Sequence, residues 1–506
     1  MYADFLYFCS KVTMKPYLPA CLVLTVITAA VLSACGGGGA TSGAPAGIPT
    51  PPPATQPATP GQSTVSGTVT GFGSVIIDGV RIDNSAVLAG KVLENGSVRQ
   101  VELKLGQHVE VQHDGQLLAT QVRVGANAEG LVTAVNAAAG TLTVAGQAII
   151  INTDATLGPV TVFEAYASLA AVLPNDRVEV HGLIKIDSSG KASLQATRIE
   201  KTSATGDSAD RVNGFITDLS ASSHTFKLGG LLVDYTSSKI LPEGATLGNG
   251  VEVNVAVPLG TVVGSAAVKA TVVTVRDHKG EVGAKDTELG GAISALDTSA
   301  KTLTVGGVKV DISAAKFNQA GRSLADLTLN AYVVIKGSYT SDGTLKAATI
   351  VLRGKDDAKD QQVELHGSVL RFVSVSNFTV RDVTVDATGV TLDAATCGAA
   401  ALANNLQVDV RGTLQANGSV KASSISCEKT SDTHLVLSRE GLVGNIDLAA
   451  KTFSLTTSKE TLSMKWSGAT LFLNVDATTL SGKTIEIEGS LSNGVYSVTK
   501  ISLKNS

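Results

Sequence analysis

The chain has 506 residues, a formal net charge of −4 and a pI near 6.0, so it presents no basic field for phosphates, and nucleic acid is not an expected partner. Hydrophobic residues make up 43% of it, aromatic residues only 4%, and there are 52 glycines, a composition that fits several small cores better than one large aromatic core.

At the N-terminus, Met14-Lys15 and the apolar run "LPACLVLTVITAAVLSAC" have the layout of a secretory signal, with Met14 the expected start and residues 1–34 the signal peptide. Leu32, Ser33, Ala34 and Cys35 match the lipobox of bacterial lipoproteins. That resemblance implies that Cys35 becomes the acylated N-terminus, and Gly36 after it implies the outer membrane of a Gram-negative cell, on its periplasmic or its surface face. Residues 35–62, rich in Gly, Pro, Ala and Thr, read as a flexible to extended tether.

From about residue 64 the sequence repeats itself six times. The openings are "GTVTGF" at Gly67, "GLVTAV" at Gly130, "GFITDL" at Gly214, "GAISAL" at Gly291, "GSVLRF" at Gly367 and "GLVGNI" at Gly441. A second strand such as "TLTV" comes next, then a late signature ("VEV" at Val109, "VEVHG" at Val178, "VEV" at Val251, "VVIKG" at Val333, "VDVRG" at Val408, "IEIEG" at Ile485) and a closing strand such as "ATRI". Alternation with period two makes each unit mostly β, and turn formers such as Asp114-Gly115, Asp342-Gly343 and Asn417-Gly418 separate the strands. A short helix fits between the third and fourth strands, as in residues 164–176 and 320–330. The expected fold is all-β: tandem five-stranded barrels of OB type, or SH3-like barrels, at residues 63–126, 127–202, 210–277, 286–353, 362–429 and 436–506. The polar junctions 200–210, 276–286 and 353–362 read as linkers between separate beads.

The stretch "GTVTGFGSVIIDGVRID" holds Gly67, Gly71 and Gly73, yet the run after Gly73 alternates as a strand, so no phosphate-binding loop is expected. This stretch, and the repeats generally, resemble the bacterial domain of unknown function 5666, which occurs in tandem in proteobacterial lipoproteins. The resemblance implies architecture and location but no activity.

Among the seven histidines none makes a ligand pair with helical spacing, and His108 and His113 fall on opposite faces of a strand, so no metal site and no cofactor is expected. The recurring acids Glu110, Glu179, Glu252, Asp409 and Glu486 alternate with inward valines and are expected to face water, with Val334 taking that place in the fourth unit. Phe226, Phe378 and Phe453 read as core. Trp466, Tyr332 and Tyr235 are the candidate contacts for a sugar. Cys397 and Cys427 are expected to form a disulfide in an exported chain. The chain carries no nucleophile elbow, zinc-protease or P-loop motif, which points away from an enzyme. The reading is a non-enzymatic structural, display or adhesive lipoprotein held to the membrane by its N-terminal lipid, with an envelope glycan or protein as a possible partner. The alternative is an oligosaccharide- or cell-wall-polymer-binding protein using OB-type faces.

Overall fold

The computed structural model describes residues 63–504 apart from 86, 94–96, 156–157, 188–191, 203–208, 265, 277–286, 354–362, 428–436, 458–459 and 493–494. Cys35, the signal segment, the tether, His278 and His434 therefore lie outside the described residues. All described residues fall in one compact unit, Thr59–Ser506.

The sixth repeat shows the plan most simply. Its strands Leu437–Asp447, Thr452–Thr456, Thr461–Leu473, Thr484–Ser492 and Val495–Leu503 close into a barrel in the order 1-2-3-5-4-1. The third and fifth strands run parallel (Met464 opposite Tyr496), and all other neighbours run antiparallel. That is the OB order.

The same cycle joins the five main strands of the second repeat (Ala128–Asn136 to Ala192–Lys201), the fourth (Thr287–Asp297 to Leu345–Arg353) and the fifth (Val363–Ser374 to Val420–Cys427). In the first repeat the third-to-fifth link shrinks to a parallel bridge between Asp83 and Leu118. The first strand of the third repeat is interrupted at Ile216, between Ala209–Phe215 and Thr217–Ser220. Short helical turns occupy the gap before the fourth strand, at Leu169–Ala171, Leu324–Asp326 and Ala394–Cys397.

The glycine that ends the late signature has a physical cause. At Gly182, Gly337, Gly412 and Gly489 the register between the fourth and fifth strands slips by a bulge, and the fifth strand's backbone crosses close by. A Cβ at these positions would stand 2.2–2.4 Å from a carbonyl oxygen of that strand, so only glycine fits.

Each barrel buries alternate valines, leucines and isoleucines. Phe226 and Phe378 are fully buried and Phe453 is nearly so, as expected for core positions. The cores do not stay separate, however. Buried side chains of the first and fifth repeats form one apolar cluster, and those of the second and third form another.

The expectation of separate beads is thus corrected. An OB barrel's long first strand pairs with the fourth strand along one half and with the second along the other, which leaves one edge of each half open. In the first repeat, Val65 and Ser66 offer their open edge to Glu288 and Leu289 of the fourth repeat, and Gly71 and Phe72 offer theirs to Glu364 and Leu365 of the fifth. Both additions are parallel. The second and third repeats join the same way, Ala128 and Glu129 against Val212 and Arg211, antiparallel. First strands are therefore the common glue, because unpaired edges seek partners.

Candidate functional site: the inter-repeat interfaces

Side chains that point out of one barrel point into the next. The recurring acid of the late signature shows this, and it corrects the expectation that this position faces water.

Glu179 lies at a junction of three repeats. Lys91 of the first repeat sits with Nζ 2.7 Å from both Glu179 Oε2 and Glu129 Oε2, and Lys91 is itself buried. Glu129 also receives Arg177 at 3.1 Å and Arg211 of the third repeat at 3.0 Å. Arg177 further pairs with Asp210, whose other oxygen accepts the backbone N–H groups of Gly260 (2.9 Å) and Thr261 (3.2 Å). His181, fully buried, stands 3.0 Å from Glu179. Burial pushes the Glu179 carboxyl up, but the His181 hydrogen bond and the His181 and Lys91 charges outweigh it and hold the group well below the usual carboxylate range.

A second network joins the fifth and sixth repeats. Glu486, with a fully buried side chain, faces Arg371 and Lys504 (2.9 Å), while Glu488 faces Arg381 (3.0 Å) and Lys500 (3.2 Å). Asp382 receives Lys500 at 3.0 Å and Lys504 at 2.7 Å, and Lys500 reaches on to Glu102 of the first repeat at 2.6 Å. Burial and the nearby Asp382 push the Glu486 carboxyl up to about 7 against the pull of Lys504 and Arg371. Oxygens of Asp382, Glu486 and Glu488 lie within 4.8 Å of one another, a spacing that could hold a metal ion. Here Lys500, Lys504, Arg371 and Arg381 already answer those charges.

In the other repeats the signature position also meets a neighbour or its own barrel's cations. Glu252 and Glu110 both approach Arg276, and Asp409 lies 3.8 Å from the buried His366. In the fourth repeat Val334 packs with Leu183 of the second, so an apolar side chain replaces the acid where the contact is apolar.

The glycine-rich opening of the first repeat finds its reason here. Its hairpin turn carries Asp78, which lies between the first and fourth repeats. Asp78 accepts the Thr68 amide at 3.1 Å and the Tyr332 hydroxyl at 2.6 Å, while Arg353 donates to its backbone carbonyl at 2.7 Å. A Cβ on Gly67 would fall 1.9 Å, and one on Gly290 2.1 Å, from Asp78 Oδ2. At Gly71 a Cβ would meet the Glu364 carbonyl oxygen of the fifth repeat at 2.3 Å. Gly67 and Gly290 make room for Asp78, and Gly71 for the fifth repeat, rather than for a phosphate.

The three aromatic candidates for a sugar contact lie apart. Trp466 is 6% exposed and packs on Phe453 (centroids 5.9 Å apart) and Phe472 (6.5 Å) inside the sixth barrel. Tyr332 is buried against Asp78. Tyr235 is half-buried and stacked on Phe226 at 5.6 Å. None of the three is brought near another. His108 and His113 do alternate, but His113, His181 and His366 are buried rather than at the surface. Cys397 and Cys427 are joined in a disulfide, Cα atoms 4.9 Å apart, tying the helical turn of the fifth repeat to its last strand.

Residues 129–200, 290–351 and 366–426 match the family model described as "Domain of unknown function (DUF5666)". Three of the six tandem repeats match DUF5666. The matched segments are the second, fourth and fifth repeats, whereas the opening that carried the resemblance belongs to the first. The first repeat departs from the plan of these three: it adds the strand Val98–Gln100, paired with Ala89–Val92, and reduces the third-to-fifth pairing. No curated protein matches the sequence. A solved structure titled "drosophila Unr CSD456" is similar over 45% of this chain and 96% of its own, at 12% identity and a TM-score of 0.12. The OB assignment rests on strand order alone.

Proposed function

We propose that this protein is a non-enzymatic, outer-membrane-anchored lipoprotein whose tandem barrels serve as one preassembled structural, display or adhesive body. The observation that supports it is the use of outward-facing strand edges and charges for docking between repeats, which suits a stiff body better than a string of independently moving domains. The lipobox ending in Cys35 and the Gly/Pro tether supply the anchoring part of the reading. Fractionation tests it: Cys35→Ala should release the chain from the membrane pellet, and a variant that still sediments with outer membranes would sink the anchor. Deleting the sixth repeat should then leave display largely intact, while deleting the fourth should undock the first and abolish display. A graded loss indifferent to which repeat is removed would count against a single body.

A further inference from the structure

The first repeat presses on the fifth beside a histidine. Its third strand, Val80–Ile82, carries Arg81, whose guanidinium donates to Nε2 of His366. Gly73 of its hairpin packs so close that a Cβ there would stand 2.3 Å from the His366 Cβ. The His366 side chain follows directly on Glu364 and Leu365, which pair in parallel with Gly71 and Phe72, and the residue is 8% exposed. The imidazole therefore sits within the seam between the two repeats.

A guanidinium has only N–H donors and no lone pair, so Nε2 receives it only while that nitrogen carries no proton. On the fifth repeat's own side, Glu364 Oε2 lies 3.4 Å and Asp409 Oδ1 3.8 Å from Nε2, and Arg411 reaches both acids, Glu364 at 3.4 Å and Asp409 at 3.7 Å. These three side chains belong to the fifth repeat and face the ring whether or not the first repeat is docked. Docking adds the Arg81 cation and excludes water. Both changes oppose an imidazolium, one by like charge and one by desolvation, so the docked ring resists a proton that the undocked ring accepts more readily. An imidazole ordinarily takes up that proton near pH 6.5. By linkage, docking on the fifth repeat is fullest at neutral pH and above, and weakens as pH falls. The contact with the fourth repeat is of another kind, because the Tyr332 hydroxyl donates to the Asp78 carboxyl, which still accepts when protonated.

We propose that His366 is an acid-released latch: protonation of its ring frees the first repeat from the fifth and leaves it seated on the fourth. The proposal goes beyond the scaffold reading and stands whether or not the chain is anchored. Release bares two strand edges, at Gly71 and Phe72 and at Glu364 and Leu365, and turns a closed seam into a surface that another strand can pair with.

The test is amide hydrogen exchange on the full chain at about pH 7.5 and about pH 5, normalised for intrinsic rate. At the lower pH, the junction of Gly71 and Phe72 with Glu364 and Leu365 should exchange about tenfold faster, the size of one hydrogen bond from a charged donor. The junction of Val65 and Ser66 with Glu288 and Leu289 is a control within the same molecule and should not accelerate, which separates release of the latch from general acid unfolding. His366→Gln keeps an acceptor for Arg81 but does not titrate, so it should remove the acid step; the comparison of the two junctions in the unmodified chain decides the matter even if that variant fails to fold. No acceleration at the fifth-repeat junction in acid, equal acceleration at both junctions, or an acid step that persists in folded His366→Gln protein would each overturn the proposal.

Discussion

Replacing Tyr332 by phenylalanine removes one hydroxyl and little volume, and so isolates the pin between the first and fourth repeats. Asp78, to which that hydroxyl donates at 2.6 Å, is 6% exposed. Burial pushes its carboxyl up to about 6, with the Tyr332 hydrogen bond and the Thr68 amide pulling the other way. Because the folded pKa is raised above the ordinary value, the native state holds the proton more tightly than the unfolded chain. Stability is therefore fullest below the unfolded pKa near 3.8 and falls as pH rises through 6, by about 3 kcal/mol in all. A hydrogen bond to an ionised acceptor contributes about 1.5–3 kcal/mol and one to a neutral acceptor ~1 kcal/mol. Tyr332→Phe should thus raise the Asp78 pKa further and cost more at pH 8 than at pH 5. The assay is amide hydrogen exchange, normalised for intrinsic rate, at the strand junction where Val65 and Ser66 meet Glu288 and Leu289. Acceleration on the order of ten- to a hundredfold at pH 8, and only several-fold at pH 5, is expected from those free energies. Equal acceleration at both pH values, or none, would refute Asp78 as the pin.

Gly67→Ala should undock the first repeat from the fourth, while Gly214→Ala, whose Cβ would meet nothing closer than 3.9 Å, should leave exchange across the junctions unchanged. Lys91→Met leaves the buried Glu129 and Glu179 short of a cation and should destabilise the body by about 3–5 kcal/mol, read from urea unfolding at neutral pH. The raised Glu486 carboxyl should make the junction of the fifth and sixth repeats weaken as pH climbs from about 4.5 to about 7, and Glu486→Gln should flatten that slope in exchange measurements. Removing the disulfide with Cys397→Ser and Cys427→Ser, 30 residues apart, should cost about 3–4 kcal/mol in the chain-entropy model and should be confined to the fifth barrel in limited proteolysis.

Within a barrel, the sequence carried the information plainly. Period-two alternation placed the strands, the gap without alternation before the fourth strand marked the helical turns, and the core phenylalanines were recognisable because sister units carry leucine there, at Leu142 and Leu303. Between barrels it did not. An outward Glu179 reads the same whether it meets water or a lysine 88 residues away, since alternation reports only which face of its own sheet a side chain occupies. Gly67 likewise gave a signal without a meaning: its glycine is required by Asp78, but nothing local says that the fourth repeat presses in behind. Two clues to the contacts were present. The acid gives way to Val334 in the one repeat whose contact there is apolar, and the first repeat alone keeps the extra glycines.

The strand additions on the first repeat also set an order of events in time. Arg81 must find His366, 285 residues further along, before that interface exists. At roughly 5–20 residues per second of synthesis, the later partner emerges about a quarter of a minute to a minute after the earlier one, whereas a small β-barrel closes in milliseconds to seconds. The first barrel therefore spends most of its early life complete but unmated, with the open edges at Val65 and Gly71 available to any passing strand. A second nascent copy could dock there in place of the chain's own fourth and fifth repeats, so high expression should favour exchanged dimers, and a holding chaperone for the first repeat would raise the yield of correctly closed monomer.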